Sequence, residues 1–200
     1  MINMNDANRL NGKDLMTVGC FTAVYLVIYV IVACVLGVIP IMALLSQFVS
    51  SFILGIPMIL YFAKIKKFGM VLITYTVIGA ALMFLGTGMY TLFLGPLCAL
   101  IAEGLLRAGN YKNVNLAVIA FGITCIGGNG NALYWVLASE ESLAEHAASM
   151  GTEYVEAVLG YFANWWVMPA ILILAFLGGV LGGLLGKKVL RKHFVRSGVL

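Results

Sequence analysis

Charge is what this chain of 200 residues has least of: 10% of it is Asp, Glu, Lys or Arg, against 62% hydrophobic residues and a mean hydropathy of +1.04. A soluble domain carries ~25% charged residues. Composition therefore excludes a soluble enzyme. The net charge of +4 is no nucleic-acid signal either, because the basic residues sit beside apolar runs. Metal and redox patterns are missing too. Cys20, Cys34, Cys98 and Cys125 all fall inside apolar runs with no Cys-x-x-Cys, and His146 and His193 stand alone and read as solvated. Neither a disulfide framework, a metal site nor a resident cofactor is expected. There is no His-Glu-x-x-His, no Gly-x-Ser-x-Gly and no Walker A motif, so the chain is not expected to hydrolyse ATP itself. The segment Glu140–Glu145 begins like the Glu-Glu-x-x-x-Arg of one intramembrane protease group, but Glu145 stands where that pattern needs arginine. A cleavable signal peptide is not evident, since the opening is polar and the first apolar run is too long.

What the chain does have is apolar length. Hydropathy divides it into spans near 15–36, 40–63, 69–89, 91–109, 114–138 and 164–186. The expected fold is all-α: residues 1–200 as one integral membrane domain of six transmembrane helices. Arg9, Lys13, Lys64, Lys66, Lys67, Arg107, Lys112, Lys187, Lys188, Arg191, Lys192 and Arg196 are all the lysines and arginines, and six spans put every one on the same face. The positive-inside rule then puts both termini in the cytoplasm. The opposite face holds two tight turns and one long loop, 139–163, with five of the eight acidic residues. Ser139 is placed to cap a short helix through about Ser149. Tyr154, Val155, Val158, Leu159, Tyr161 and Phe162 form a second, amphipathic piece expected on the membrane surface. This loop is either a lid over a binding site or a solvated cap. Tyr134, Trp135, Tyr161, Trp165 and Trp166 bracket it as an interfacial aromatic belt would.

The fifth span carries Gly127-Gly128-Asn129-Gly130-Asn131 within apolar sequence. Glycine costs ~1 kcal/mol relative to alanine in a helix interior, and asparagine competes for its own backbone. A kink or partial unwinding is expected, and irregular backbone at membrane depth survives only where protein buries it or a cavity adjoins it. Two readings stand side by side: a pocket offering amides to a ligand, or a tight helix crossing whose asparagines bond neighbouring helices. Counting ~1.5 Å of rise per residue places Gln47, Asn129 and Asn131 in the outer half, with Thr87, Tyr90, Thr91 and Asn164 near outer ends. A mainly apolar pocket with a few uncharged hydrogen-bonding groups and nearby aromatics suits a small, flat or amphipathic guest. Glu103 lies in the inner half with Arg107 four residues on, a spacing that favours an ion pair.

Gly19 and Ala23 form a small-x-x-x-small pair in the first span. Gly178, Gly182 and Gly186, flanked by Gly179 and Gly183, give the last span a small stripe that suits close packing within the chain or docking of another subunit.

Together these features resemble the S component of an energy-coupling-factor (ECF) transporter, and in detail the Trep_Strep group of bacterial integral membrane proteins. The stretch Lys13-Asp14-Leu15 to Gly19-Cys20-Phe21-Thr22-Ala23-Val24-Tyr25 and the Gly-Gly-Asn-Gly-Asn segment carry the resemblance, which extends over essentially the whole chain. It implies a substrate-binding subunit with an S-component-like bundle that captures a vitamin or other micronutrient outside, haem or another cofactor included. It also implies partners: a transmembrane T subunit, met by Gly19 and Ala23, and two cytoplasmic ATPases. Asn129, Asn131, Gln47, Tyr90, Trp135, Asn164 and Trp165 would then contact solute, and Gly127, Gly128 and Gly130 would permit close backbone approach. Two alternatives stand beside it: a membrane enzyme on a lipid or isoprenoid substrate with Glu103 as buried acid, and a non-transporting scaffold.

Overall fold

The computed structural model describes residues 10–65 and 67–196, the last six of these as backbone alone. The side chains of Arg9, Lys66, Arg191, Lys192, His193 and Arg196, part of the charge and histidine reading, lie outside the described residues. The described chain is helical throughout: α1 (Gly12–Leu36), α2 (Pro40–Lys64), α3 (Met70–Phe84), α4 (Tyr90–Ala108), α5 (Val114–Gly128), a 3-10 turn (Gly130–Leu133), α6 (Tyr134–Leu137), α7 (Glu140–Met150), α8 (Thr152–Phe162) and α9 (Val167–Arg196). Five stretches are long and apolar enough to cross a membrane, the fifth span being α5 and its continuation to Leu137; α3 is a further, shorter apolar helix.

Local chemistry sets the ends. Asn11 and Asp14 form a reciprocal capping box, each side chain accepting the other's backbone N–H at 2.9 Å. Pro40 opens α2, where its missing N–H costs nothing. The Asn113 side chain accepts from the N–H groups of Asn115 and Leu116 to open α5. Two expected bounds are corrected. The third span, read as 69–89, stops at Phe84, because Gly86 (φ 76°) and Gly88 (φ 107°) take left-handed conformations that turn the chain. The last span, read as ending at Gly186, runs on to Arg196 through leucine, lysine and arginine, all good helix formers.

Short connections make neighbouring helices antiparallel, and side-chain contacts fix two poles. At the basic pole Lys67 pairs with Asp14 at 2.7 Å and Lys187 Nζ donates to Asn115 Oδ1 at 2.6 Å. At the opposite pole Tyr154 donates to the Gly37 carbonyl at 2.8 Å. The core between them is built on Tyr25, Tyr61, Phe62, Tyr75 and Phe121, all fully buried. The α5 span is central, with 72% of its apolar stretch buried, against 22% for α1. The exposed side of α1 (Val27, Ile31, Val35) is an apolar face suited to lipid or a partner helix.

The stripe on α9 is consumed inside the chain. A Cβ at Gly186 would lie 2.8 Å from the Gly55 carbonyl, and one at Gly182 would strike the Phe52 carbonyl, so α2 and α9 meet backbone to backbone. The α5-facing side, Gly179 and Gly183, packs on Cys125 and Val118. A Cβ at Gly19, by contrast, would meet nothing within 4 Å, and Gly19 and Ala23 are both exposed.

Candidate binding site

The break expected in the fifth span is present. α5 ends at Gly128, Asn129 leaves the helix (φ −100°, ψ 17°), and the chain tightens into a 3-10 turn before α6 resumes. The tighter turn rotates the two asparagines to different neighbours. Asn129 points into the bundle, where its Nδ2 donates to the Cys125 carbonyl at 2.8 Å and to Ser51 Oγ at 3.2 Å. Its Oδ1 is buried without a partner. Asn131 instead reaches α4: its Oδ1 accepts from Thr91 N at 2.9 Å, its Nδ2 donates to Thr87 Oγ1 at 3.0 Å, and its own N–H donates to Thr91 Oγ1. Asn131 thereby caps the start of α4 from a remote position and ties the broken span to it.

A cavity of about 170 Å³ opens beside this turn, at the pole opposite the lysines. Gln47 and Ser46 from α2, Tyr29 from α1, Asn131 and Trp135 from the broken span, and Tyr154, Val158 and Phe162 from α8 line it, with Thr87 at its edge. Among the described residues no charged side chain lines it. Gln47 Oε1 is buried and makes no hydrogen bond. α8 forms one side of the cavity: Val155 and Val158 are buried against the bundle, and the Tyr154–Gly37 bond ties the helix to the α1–α2 turn. Burial pushes the Tyr154 phenol above its ordinary value.

The preceding helix is docked as well. Ser139 caps α7, its Oγ accepting from Ser142 N, and the Tyr134 hydroxyl, 2.9 Å from the Ser142 carbonyl, donates to it. His146, read as solvated, is half-buried instead, with Nδ1 2.9 Å from that hydroxyl and its ring 4.7 Å from the Tyr134 ring. Four residues after Ser142 on one helical face, it is carried onto the aromatic pair Tyr134 and Trp135.

Of the residues expected to contact solute, the cavity brings together Gln47, Asn131 and Trp135. Asn129 is walled off in the bundle. Gly127 packs on α4, where a Cβ would lie 2.8 Å from that of Cys98. Gly128 faces the Tyr25 hydroxyl and Gly130 packs on Thr91 and Leu94. These three glycines therefore serve helix approach, not approach of a guest. Tyr90 is half-buried at the head of α4 but is not in the cavity wall. Asn164 and Trp165 lie outside it, Trp165 85% exposed. Tyr29, Tyr154 and Phe162 had not been assigned to a site. Tyr154, Val158 and Phe162 recur every four residues, the signature of one helical face; Tyr29 sits in a helix apolar all round and carries no such signal.

The expected Glu103–Arg107 ion pair is also corrected. Glu103 is fully buried, and its Oε1 accepts from Gly69 N at 2.9 Å and Val71 N at 2.8 Å, while Tyr111 reaches Oε2 at 3.4 Å. Arg107 is exposed and makes no ion pair among the described residues. The first turn of α3 leaves backbone N–H groups unpaired, and a buried carboxylate satisfies them better than a long, solvated guanidinium satisfies the carboxylate. Burial, and next the Glu103 carboxylate beside it, push the Tyr111 phenol up to about 12. The acid needed by the membrane-enzyme alternative is thus occupied in holding helix ends together.

No curated protein and no solved structure matches the chain significantly. A family model does, over residues 12–196, from the first turn of α1 to the end of α9, which takes in every element described above. The chain belongs to the Trep_Strep family, whose description is a hypothetical bacterial integral membrane protein.

Proposed function

We propose that the chain is a substrate-binding subunit of an ECF-type importer in the bacterial cytoplasmic membrane, both termini inside, capturing a small micronutrient for uptake driven by a T subunit and two ATPases. The observation that carries this reading is the cavity at the pole remote from the lysines, lined by no charged side chain among the described residues and walled on one side by α8, which is tied to the α1–α2 turn. By the positive-inside rule that pole faces outward. A cavity there is where a captured solute would enter. Its volume favours small solutes. A second feature agrees. Gly19 and Ala23 leave a small, open face on the most peripheral span, where a T subunit's helix could approach closely.

Co-expression with a T subunit and two ATPases, followed by affinity isolation of the complex, tests the assignment. The native chain is expected to retain all three partners and Gly19→Leu to lose them while staying monodisperse, because a side chain at position 19 meets open space. A chain that never associates with such a module, or a Gly19→Leu variant that associates as well as the native one, overturns it.

A further inference from the structure

We infer that the cavity takes a small, planar, uncharged molecule with an amide-type edge, an N–H donor beside a carbonyl acceptor, which pairs with the side-chain amide of Gln47. The inference rests on the capture reading above and specifies its solute.

Size comes first. A cavity of about 170 Å³ is well above the ~10–15 Å³ that one water needs on the same measure, and so has room for a small ring compound. Charge comes second. Among the described residues no ionic side chain lines it, so a phosphate, carboxylate or ammonium would lose hydration with no counter-charge to replace it. Shape comes third, from the Tyr29, Trp135 and Phe162 rings in the wall, which favour a flat guest.

The polar contacts then single out one residue. Asn131 accepts from Thr91 at Oδ1 and donates one Nδ2 hydrogen to Thr87, and the Tyr154 hydroxyl donates to Gly37, so each is held in place and keeps only part of its capacity. Gln47 Oε1 is unpaired, and the Tyr29 hydroxyl makes no hydrogen bond to protein among the described residues. Gln47 Oε1 has almost no open surface as it stands, and it is rotation about the broad terminal torsion of glutamine that turns the amide edge toward the cavity. A glutamine amide matches an edge with adjacent donor and acceptor in a two-point pair, as it does on adenine. The guest's donor reaches the orphaned oxygen while its carbonyl accepts from Nε2.

Detergent-purified full-length chain is titrated by calorimetry with two matched pairs of probes, uracil against orotate and nicotinamide against nicotinate. At least one neutral member is expected to bind saturably, and its carboxylate partner about a hundredfold more weakly. Gln47→Leu and Gln47→Met are expected to weaken the neutral member by about tenfold, with unfolding temperature unchanged. Equal binding of the charged partner, binding of neither neutral probe, or undiminished affinity in both correctly folded Gln47 variants overturns the inference. The two proposals fail separately. Assembly with an ATPase module and uptake of a charged solute refutes the guest class and leaves transport standing. Gln47-dependent binding of a neutral probe by a chain that joins no module does the reverse.

Discussion

Glu103 Oε1 accepts hydrogen bonds from both Gly69 N and Val71 N, so a carboxylate on α4 closes the open end of α3 across 34 and 32 residues of sequence. Glu103→Ala leaves the buried Val71 N–H unpaired, at ~1–3 kcal/mol, and the part-buried Gly69 N–H at less. Glu103→Gln keeps an acceptor and is expected to cost about 1 kcal/mol, while Arg107→Ala falls within ~0.5 kcal/mol of the native chain. Unfolding of the three variants in one detergent checks the order. An equal loss in Arg107→Ala would reinstate the ion pair.

The two asparagines of the broken span separate stability from binding. Asn129→Ala removes the bonds to Ser51 and Cys125 behind the cavity wall, and about 1–3 kcal/mol of stability is expected to go with them. Affinity for a neutral probe is expected to hold at temperatures where the variant is folded. Gln47→Leu should show the opposite pattern. Parallel calorimetric and unfolding measurements decide, and an Asn129→Ala loss of affinity without a loss of stability would put that amide back in the site.

Glycines of one chain differ in what they tolerate. Gly182→Ala drives a methyl into the Phe52 carbonyl and is expected to cost ~1–3 kcal/mol or more as α9 lifts from α2. Gly19→Ala meets open space and is expected to change stability by less than ~0.5 kcal/mol. Similar losses at both positions would mean that α1 is packed on its small face within the chain.

Local structure was legible in the sequence where hydropathy or helix-breaking chemistry dictates it. The spans, the break at Gly127–Asn131 and the cap at Ser139 each rest on local properties of a few consecutive residues. What was not legible depends on which helix lies beside which. Glu103 sits four residues before Arg107, yet its partners come from a turn more than thirty residues away. Asn129 and Asn131 have the same chemistry two residues apart, and only the tightened 3-10 turn sends one into the bundle and the other to α4. The α9 stripe is as good a docking face by composition as Gly19 and Ala23; adjacency to α2 and α5 decides that it is used internally.

The Tyr154 hydroxyl ties α8 to the α1–α2 turn beside the cavity. Tyr154 donates to Gly37 only while protonated, and burial holds its phenol above the ordinary value of ~10. A group whose proton is held more tightly in the folded state adds stability that is whole below ~pH 10 and is lost as pH rises through the folded value. The docked position of α8 is therefore expected to weaken above ~pH 10, by the ~1 kcal/mol that one hydrogen bond contributes. Tyr154→Phe lacks the donor at every pH, so its α8 amides should exchange hydrogen about fivefold faster at neutral pH, the rate equivalent of that ~1 kcal/mol. Their protection should also show a smaller alkaline loss than in the native chain. Exchange measured by mass spectrometry on residues 152–162 reads both effects. Equal protection in the two chains would mean that the buried Val155 and Val158, not the hydroxyl, hold the helix in place.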